Sequence, residues 1–196
     1  MKDLFDELTD EQMKDSDDKM NGTSKDASTS LVYIGTPGIR KLITYESPMQ
    51  ILTEDFPKHQ WPISGGWGYS QDDAVVIETK TESIGVSLEY KFLEYRTYEE
   101  AIIFRPEGQQ LAGIQFKCGD QSTILGQDGK CYDRISMEVT AYTEDDYNYL
   151  KADWVSHNAY EGDDIGKQKH LQLADSKKIV YEITGWFDIS NFYKKG

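Results

Sequence analysis

Residues 135 to 142 alternate strictly between apolar and polar side chains. This period-two pattern is typical of a β-strand with one buried face. The hairpin-type turn at residues 127–130 precedes it, and residues 113–118 form a further strand pattern before that turn. Strands joined by a tight turn pair in the antiparallel sense. The apolar positions of the clearest strand are Ile135, Met137, Val139 and Ala141.

Most other segments after residue 30 also resemble strands separated by turns. Apolar residues occupy every second position up to Phe92, but from Leu93 they occupy the alternate positions that were polar before. A strand can change its buried face in this way only at a bulge or bend, so we predict a kink there. Because the strands follow one another mostly through turns, we predict an α+β fold, a mainly antiparallel β-sheet with one or two helices packed on a face. The further predicted strands are residues 74–79, 84–92, 100–104 and 179–189, and the predicted helices are residues 143–158 and 167–174.

The first thirty residues differ in composition from the rest of the chain. They hold nine acidic and four basic side chains and end in a polar stretch that has little to bury. We predict a flexible acidic N-terminal arm at residues 1–30 and a single β-rich globular domain at residues 31–196. Leu4, Phe5 and Leu8 fall near helical spacing, so the arm could order as a docking peptide on a partner.

The chain carries 35 acidic and 21 basic side chains, a formal charge of −14 over 196 residues. Such a field repels phosphate backbones and anionic membranes and attracts basic proteins. We therefore expect a basic protein partner and neither nucleic acid nor membrane binding. Self-association into a homo-oligomer stays open.

Targeting and cysteine content favour a cytoplasmic location. The N-terminus lacks the basic and apolar regions of an export signal. Cys118 and Cys131 are too few for a disulfide framework or a four-thiolate zinc site. The two cysteines could face each other across a hairpin or remain buried thiols.

The most unusual segment is residues 61–70, which combines two tryptophans and a tyrosine with three glycines. Such a loop can present aromatic faces and backbone amides to a partner, or it can be a tight connection into the next strand. Its glycine spacing does not fit a phosphate-binding loop. The residues predicted to contact the partner are Trp67, Tyr69, Asp72, Asp73, Glu89 and Glu94.

Histidine chemistry is weakly indicated. No two of His59, His157 and His170 have the spacing that places ligands on one helical turn, so we predict neither a metal site nor a cofactor. His59 lies near the aromatic loop and could act as a base if a carboxylate oriented it. His157 is better explained by its place at a helix end. Paired carboxylates, as glycosidases need, cannot be recognised among so many acids.

Three functions follow from these patterns. The first is a non-enzymatic interaction domain, an inhibitor or immunity-type antagonist of a basic partner such as a nuclease or toxin. The second is a small-molecule hydrolase with its site at His59 and the glycine and tryptophan loop. The third is an assembly component of a phage or secretion apparatus, in which the arm docks onto a neighbouring subunit.

Overall fold

The computed structural model describes residues 46–193 and the backbone of two short strands, β1 (Val32–Tyr33) and β2 (Arg40–Lys41). These two strands pair with each other in the antiparallel sense. The predicted arm, residues 1–30, lies outside the described residues, and so does the predicted domain boundary at residue 31.

Four α-helices and five further strands follow along the described chain. Short 3₁₀ turns at Gln71–Asp73 and Asn158–Tyr160 and a π-helical segment at Glu99–Ile103 connect them. The elements are α1 (Pro48–Asp55), β3 (Ile63–Gly65), β4 (Val75–Ile77), α2 (Glu82–Tyr98), β5 (Leu111–Leu125), β6 (Cys131–Thr143), α3 (Glu144–Ser156), α4 (Asp164–Lys177) and β7 (Ile179–Asp188).

The five strands form one sheet in the order β3-β4-β7-β6-β5. Only the β4–β7 pair is parallel, and the three other pairs are antiparallel. The predicted α+β class with a mainly antiparallel sheet is therefore confirmed, although the described chain has four α-helices where one or two were expected. The longest pairing is the β5–β6 hairpin, which closes at the predicted turn with Leu125 opposite Cys131.

The predicted strand at residues 84–92 is wrong, because this segment belongs to helix α2. Phe92 and Leu93 are adjacent on its buried face, so the expected kink does not occur. Residues 100–104 are also not a strand, since Glu99–Ile103 continues the helix as a π-helical turn. The buried positions of α2 recur at helical spacing and are Gly85, Leu88, Glu89, Phe92, Leu93, Arg96 and Thr97.

The main core lies between the inner face of the sheet and the helices α1 and α2. The rings of Phe92 and Phe187 meet edge to face with centroids 5.9 Å apart. Leu93 packs directly over Gly185, where an added Cβ would lie 2.5 Å from a Leu93 methyl carbon. This close contact fixes the distance between α2 and β7.

Helices α3 and α4 confirm the two helices predicted at residues 143–158 and 167–174. They pack against each other as a hairpin, and α3 contacts β5 and β6. Thr143 caps α3 by accepting a hydrogen bond from the Asp146 amide at 3.2 Å. Asp163 caps α4 in the same way through the Gly166 amide at 2.9 Å. Within the described part of the chain, every helix is too short or too polar to span a bilayer.

The two cysteines are free thiols, with Cys118 exposed and Cys131 buried. The hairpin register places Cys118 opposite Met137 and Cys131 opposite Leu125. The two thiols therefore lie at different levels of the hairpin, which is incompatible with a bridge in this fold.

Candidate functional site

An open cleft of about 940 Å³ lies between the glycine-rich loop and the β5–β6 turn. One wall is formed by residues 65–66, 71–74 and 76, and the other by residues 124–128, 130 and 132. Asp188, at the end of β7, completes the lining. The parallel β4–β7 pairing brings the loop and the end of β7 to the same place in the sheet.

The cleft is strongly acidic. Four aspartates line it against a single lysine, so its lining has a formal charge of −3. Asp72 is exposed and Asp73 is half-buried. Asp188 is only 4% exposed. The charged residues of the lining are Asp72, Asp73, Asp128, Lys130 and Asp188.

Asp188 is paired with the one cation of the cleft. Lys130 Nζ donates to Asp188 Oδ2 at 2.7 Å, and the Ser190 amide donates to Oδ1 at 3.1 Å. Burial alone would raise the pKa of Asp188, but the hydrogen bonds from Lys130 and Ser190 outweigh it and leave that pKa below its usual value. Asp188 is therefore ionised at neutral pH.

Asp128 holds the hairpin turn in shape. Its Oδ2 accepts a hydrogen bond from the Tyr132 hydroxyl at 2.6 Å, and its Oδ1 accepts one from the Lys130 amide at 3.1 Å. The Tyr132 hydrogen bond first, and then the Lys130 amide, lower the pKa of Asp128. This carboxylate is thus a fixed negative charge on the cleft wall.

The glycine-rich loop is shaped by Asp73. Its Oδ2 accepts a hydrogen bond from the Tyr69 amide at 3.2 Å. Its other carboxylate oxygen lies against Gly66, where an added Cβ would be 1.8 Å away. Gly65 has a φ of 81°, which favours glycine. The glycines therefore allow the chain to turn tightly around the Asp73 carboxylate.

Arg96 anchors this loop to the helix and the sheet from inside the core. Its Nη1 donates to the Trp67 carbonyl at 2.8 Å and its Nη2 to the Thr184 carbonyl at 2.9 Å. Its Nε lies 3.3 Å from Glu100 Oε1, which also accepts the Tyr69 hydroxyl at 2.6 Å. The guanidinium stacks over the Tyr69 ring at 4.6 Å. One buried cation thus sets the position of the loop.

The predicted contact residues separate into two groups. Asp72 and Asp73 come together in the cleft, and Tyr69 is half-buried beside them. Trp67 is 5% exposed and Glu89 is 0% exposed. A partner that binds this conformation does not reach side chains as buried as these two.

Glu94 lies on helix α2 and is not among the residues that line the cleft. Its charge acts on Lys91, whose Nζ lies 2.9 Å from His59 Nδ1. The other ring nitrogen, Nε2, is 2.5 Å from the Tyr95 hydroxyl. An ammonium group can only donate, so Nδ1 is the acceptor and we infer that Nε2 carries the proton. Both nitrogens are thereby engaged within the protein.

The other two histidines belong to the α3–α4 hairpin. His157 lies at the C-terminal end of α3, in agreement with the sequence analysis. The His170 side chain is fully buried, with Nδ1 2.6 Å from Asp153 Oδ2. The Tyr160 hydroxyl donates to that same oxygen at 2.6 Å. These bonds hold the left-handed turn at residues 158–160, where φ is 47°, 54° and 57°.

Among the residues that the structure describes, no group of three or more His, Cys, Asp or Glu side chains is arranged to hold a metal ion. Comparisons with protein-family models, curated proteins and solved structures found no match.

Proposed function

We propose that this chain is a non-enzymatic acidic interaction domain, an inhibitor or immunity-type antagonist that binds a basic partner protein through the cleft. The observation that supports this proposal is the set of four aspartates that line the cleft against one lysine. A cleft lined by charges of one sign concentrates the field and attracts groups of the opposite sign. Lysine or arginine side chains of a partner are the groups that fit it.

The carboxylates of the cleft are already fixed before any partner arrives. Asp73, Asp128 and Asp188 each accept hydrogen bonds from their own surroundings. Preorganised side chains lose little conformational entropy when a partner binds, so more of the interaction energy contributes to affinity. Asp72, the exposed member, is free to adapt its rotamer to the partner.

The charge of the whole chain supports the same proposal at longer range. A formal charge of −14 steers basic proteins towards the molecule and increases their rate of association. This steering weakens as salt shortens the Debye length from about 10 Å at 0.1 M to about 3 Å at 1 M. Binding should therefore depend strongly on salt.

In the unbound chain, Lys130 pairs with Asp188 and occupies the position that we propose for a cation of the partner. Its side chain is 51% exposed, whereas Asp188 beneath it is 5% exposed. Movement of the Lys130 side chain into solvent would uncover Asp188 for a partner arginine. A guanidinium can then pair with Asp188 in a bidentate manner, which an ammonium group cannot do.

The proposal is tested by affinity capture from the native lysate, with wild type, Asp72→Lys and Glu182→Lys as baits. Asp72 and Glu182 are both exposed, and Glu182 lies on the same strand as Asp188 but six residues earlier, roughly 20 Å away. The two variants change the total charge equally. We expect a basic protein to be retained by wild type and Glu182→Lys, to be lost with Asp72→Lys, and to be inhibited in its own activity by the chain.

Retention that is equal for all three baits, or that survives 1 M salt, would contradict the cleft as the binding site. The described residues add no observation in favour of the two other functions. At His59 both ring nitrogens are engaged by Lys91 and Tyr95, and the arm required for assembly lies outside the described residues. Deleting residues 1–30 should leave binding to the basic partner unchanged.

A further inference from the structure

Glu89 is a carboxyl group enclosed in the hydrophobic core. It lies on the buried face of α2 between Leu88 and Phe92 and is 0% exposed. Neither of its carboxyl oxygens has a hydrogen-bond partner among the described residues. A carboxylate in such surroundings is far less stable than the neutral acid, because nothing replaces the water that it has lost.

A second buried acid, on the sheet, is connected to α2 through hydrogen bonds of Gln121. Asp133 on β6 is 4% exposed, and its two oxygens accept hydrogen bonds from Gln121 Nε2 and Thr123 Oγ1, each at 2.6 Å. These hydrogen bonds hold the Asp133 side chain against β5. Burial first, and then the charge of Asp133, raise the pKa of Glu89 to about 8. Glu89 is therefore largely protonated at neutral pH.

The titratable groups recorded around this pair in the described chain are Tyr90 on α2 and Cys118 on β5. The Tyr90 hydroxyl donates to Gln121 Oε1 at 3.1 Å, so Gln121 bridges α2 to Asp133. Burial and then the charges of Cys118, Glu89 and Asp133 raise the pKa of Tyr90. Tyr90 thus stays neutral and keeps its bond to the hairpin at moderately alkaline pH.

We propose that the enclosed, unpartnered carboxyl of Glu89 is a buried proton-binding site, and that release of its proton loosens the contact between α2 and the β5–β6 hairpin. In the release step the carboxyl O–H bond of Glu89 breaks and the proton passes to water. The Glu89 carboxylate is then left without a hydrogen-bond partner in a region of low dielectric constant, where an unpaired charge is strongly disfavoured. This inference is independent of the proposed binding function.

The proton site is tested directly by ¹³C NMR of the glutamate side-chain carboxyls in the full chain between pH 4 and 10. We expect one resonance with a midpoint near pH 8, absent from Glu89→Gln and present in Glu182→Gln, the same substitution at an exposed position. If the resonance lost in Glu89→Gln titrates near pH 4.5, the usual value, the proposal is overturned.

The loosening is measured separately by amide hydrogen exchange of α2 and β5. After correction for intrinsic exchange rates, wild type should lose protection at least several-fold between pH 7 and pH 9.5. In Glu89→Gln the protection of these amides should stay constant over this pH range. In Glu182→Gln it should fall as it does in wild type. Should Glu89→Gln fold poorly, Asp133→Asn provides the second variant, because removing its charge must move the Glu89 midpoint to lower pH. A Glu89 midpoint that does not move in Asp133→Asn would refute the influence of Asp133 on the proton site. Protection that stays constant in wild type would refute the loosening.

Discussion

Lys130 Nζ lies 2.7 Å from Asp188 Oδ2, and this ion pair joins the β5–β6 turn to the end of β7. The two residues are far apart in sequence, and their elements meet at the acidic cleft. It also leaves the most buried carboxylate of the cleft bound to a side chain that can move into solvent. Stability and binding therefore make opposite demands on Lys130.

Lys130→Met should weaken folding slightly and strengthen partner binding. The change keeps the aliphatic stem but removes the cation, so the free energy of unfolding should fall by about 1 kcal/mol, since solvent already screens half of the Lys130 side chain. The affinity for the basic partner should rise because Asp188 becomes available. Urea unfolding and a binding titration measure the two effects.

The matched control is Lys117→Met, which removes the exposed ion pair of Lys117 with Glu138. It should change neither the free energy of unfolding nor the affinity for the basic partner appreciably. The depressed pKa of Asp188 gives the sign of the pH effect. Its contribution to stability is present above the ordinary value of 3.8 and is lost as the pH falls below it, so the wild-type and Lys130→Met curves should converge in acid.

Arg96→Met should release the glycine-rich loop from the core. The substitution fills much of the same volume but leaves the Trp67 carbonyl without its buried donor and the Glu100 carboxylate without the guanidinium charge 3.3 Å away. Breaking one side of a buried ion pair costs about 3 kcal/mol or more. Chemical denaturation should show this loss, whereas Arg134→Met at an exposed sheet position should stay within about 0.5 kcal/mol of wild type. A small effect of Arg96→Met would refute its role as anchor.

Glu89→Gln should change the pH dependence of stability. The pKa of Glu89 rises from 4.5 to about 8 on folding, so folded protein holds one proton that the unfolded chain has released between these values. Wild type should therefore lose roughly 1 kcal/mol of stability per pH unit across this window, with no further loss from this group above it. Glu89→Gln should lack this slope and match wild type near pH 4. Thermal melts at intervals of one pH unit measure the difference. Equal slopes of stability against pH in wild type and Glu89→Gln would refute the prediction.

The sequence predicts the hairpin, the two C-terminal helices and β7 correctly because their signals are local. The alternation of residues 135–142 reports one buried face, and Thr143 marks the start of α3. Helix α2 was missed because several of its buried positions are not apolar. Gly85, Glu89 and Arg96 all point inwards, which hides the helical period of the apolar residues. The change of the apolar positions at Phe92 and Leu93 is the one sign of the helical period in this part of the sequence.

The candidate site could be predicted only in part for a similar reason. Asp72 and Asp73 adjoin the unusual loop in sequence, so composition was enough to identify them. Asp128 and Asp188 reach the same cleft through strand pairing over long sequence separations, which no local pattern reveals. The burial of Trp67 also depends on a tertiary contact, because its ring packs in the core with the Phe92 ring, the centroids 6.1 Å apart.

The decisive comparison is the dissociation constant for the captured basic protein, measured with Asp72→Lys and Glu182→Lys in parallel at low salt. Each variant changes the total charge by the same amount, so a difference between them reports the position of the contact. We expect Asp72→Lys to bind about tenfold or more weakly, equivalent to about 1.4 kcal/mol, and Glu182→Lys to stay within about twofold of wild type. Equal weakening by both variants would show that total charge, and not the cleft, determines binding.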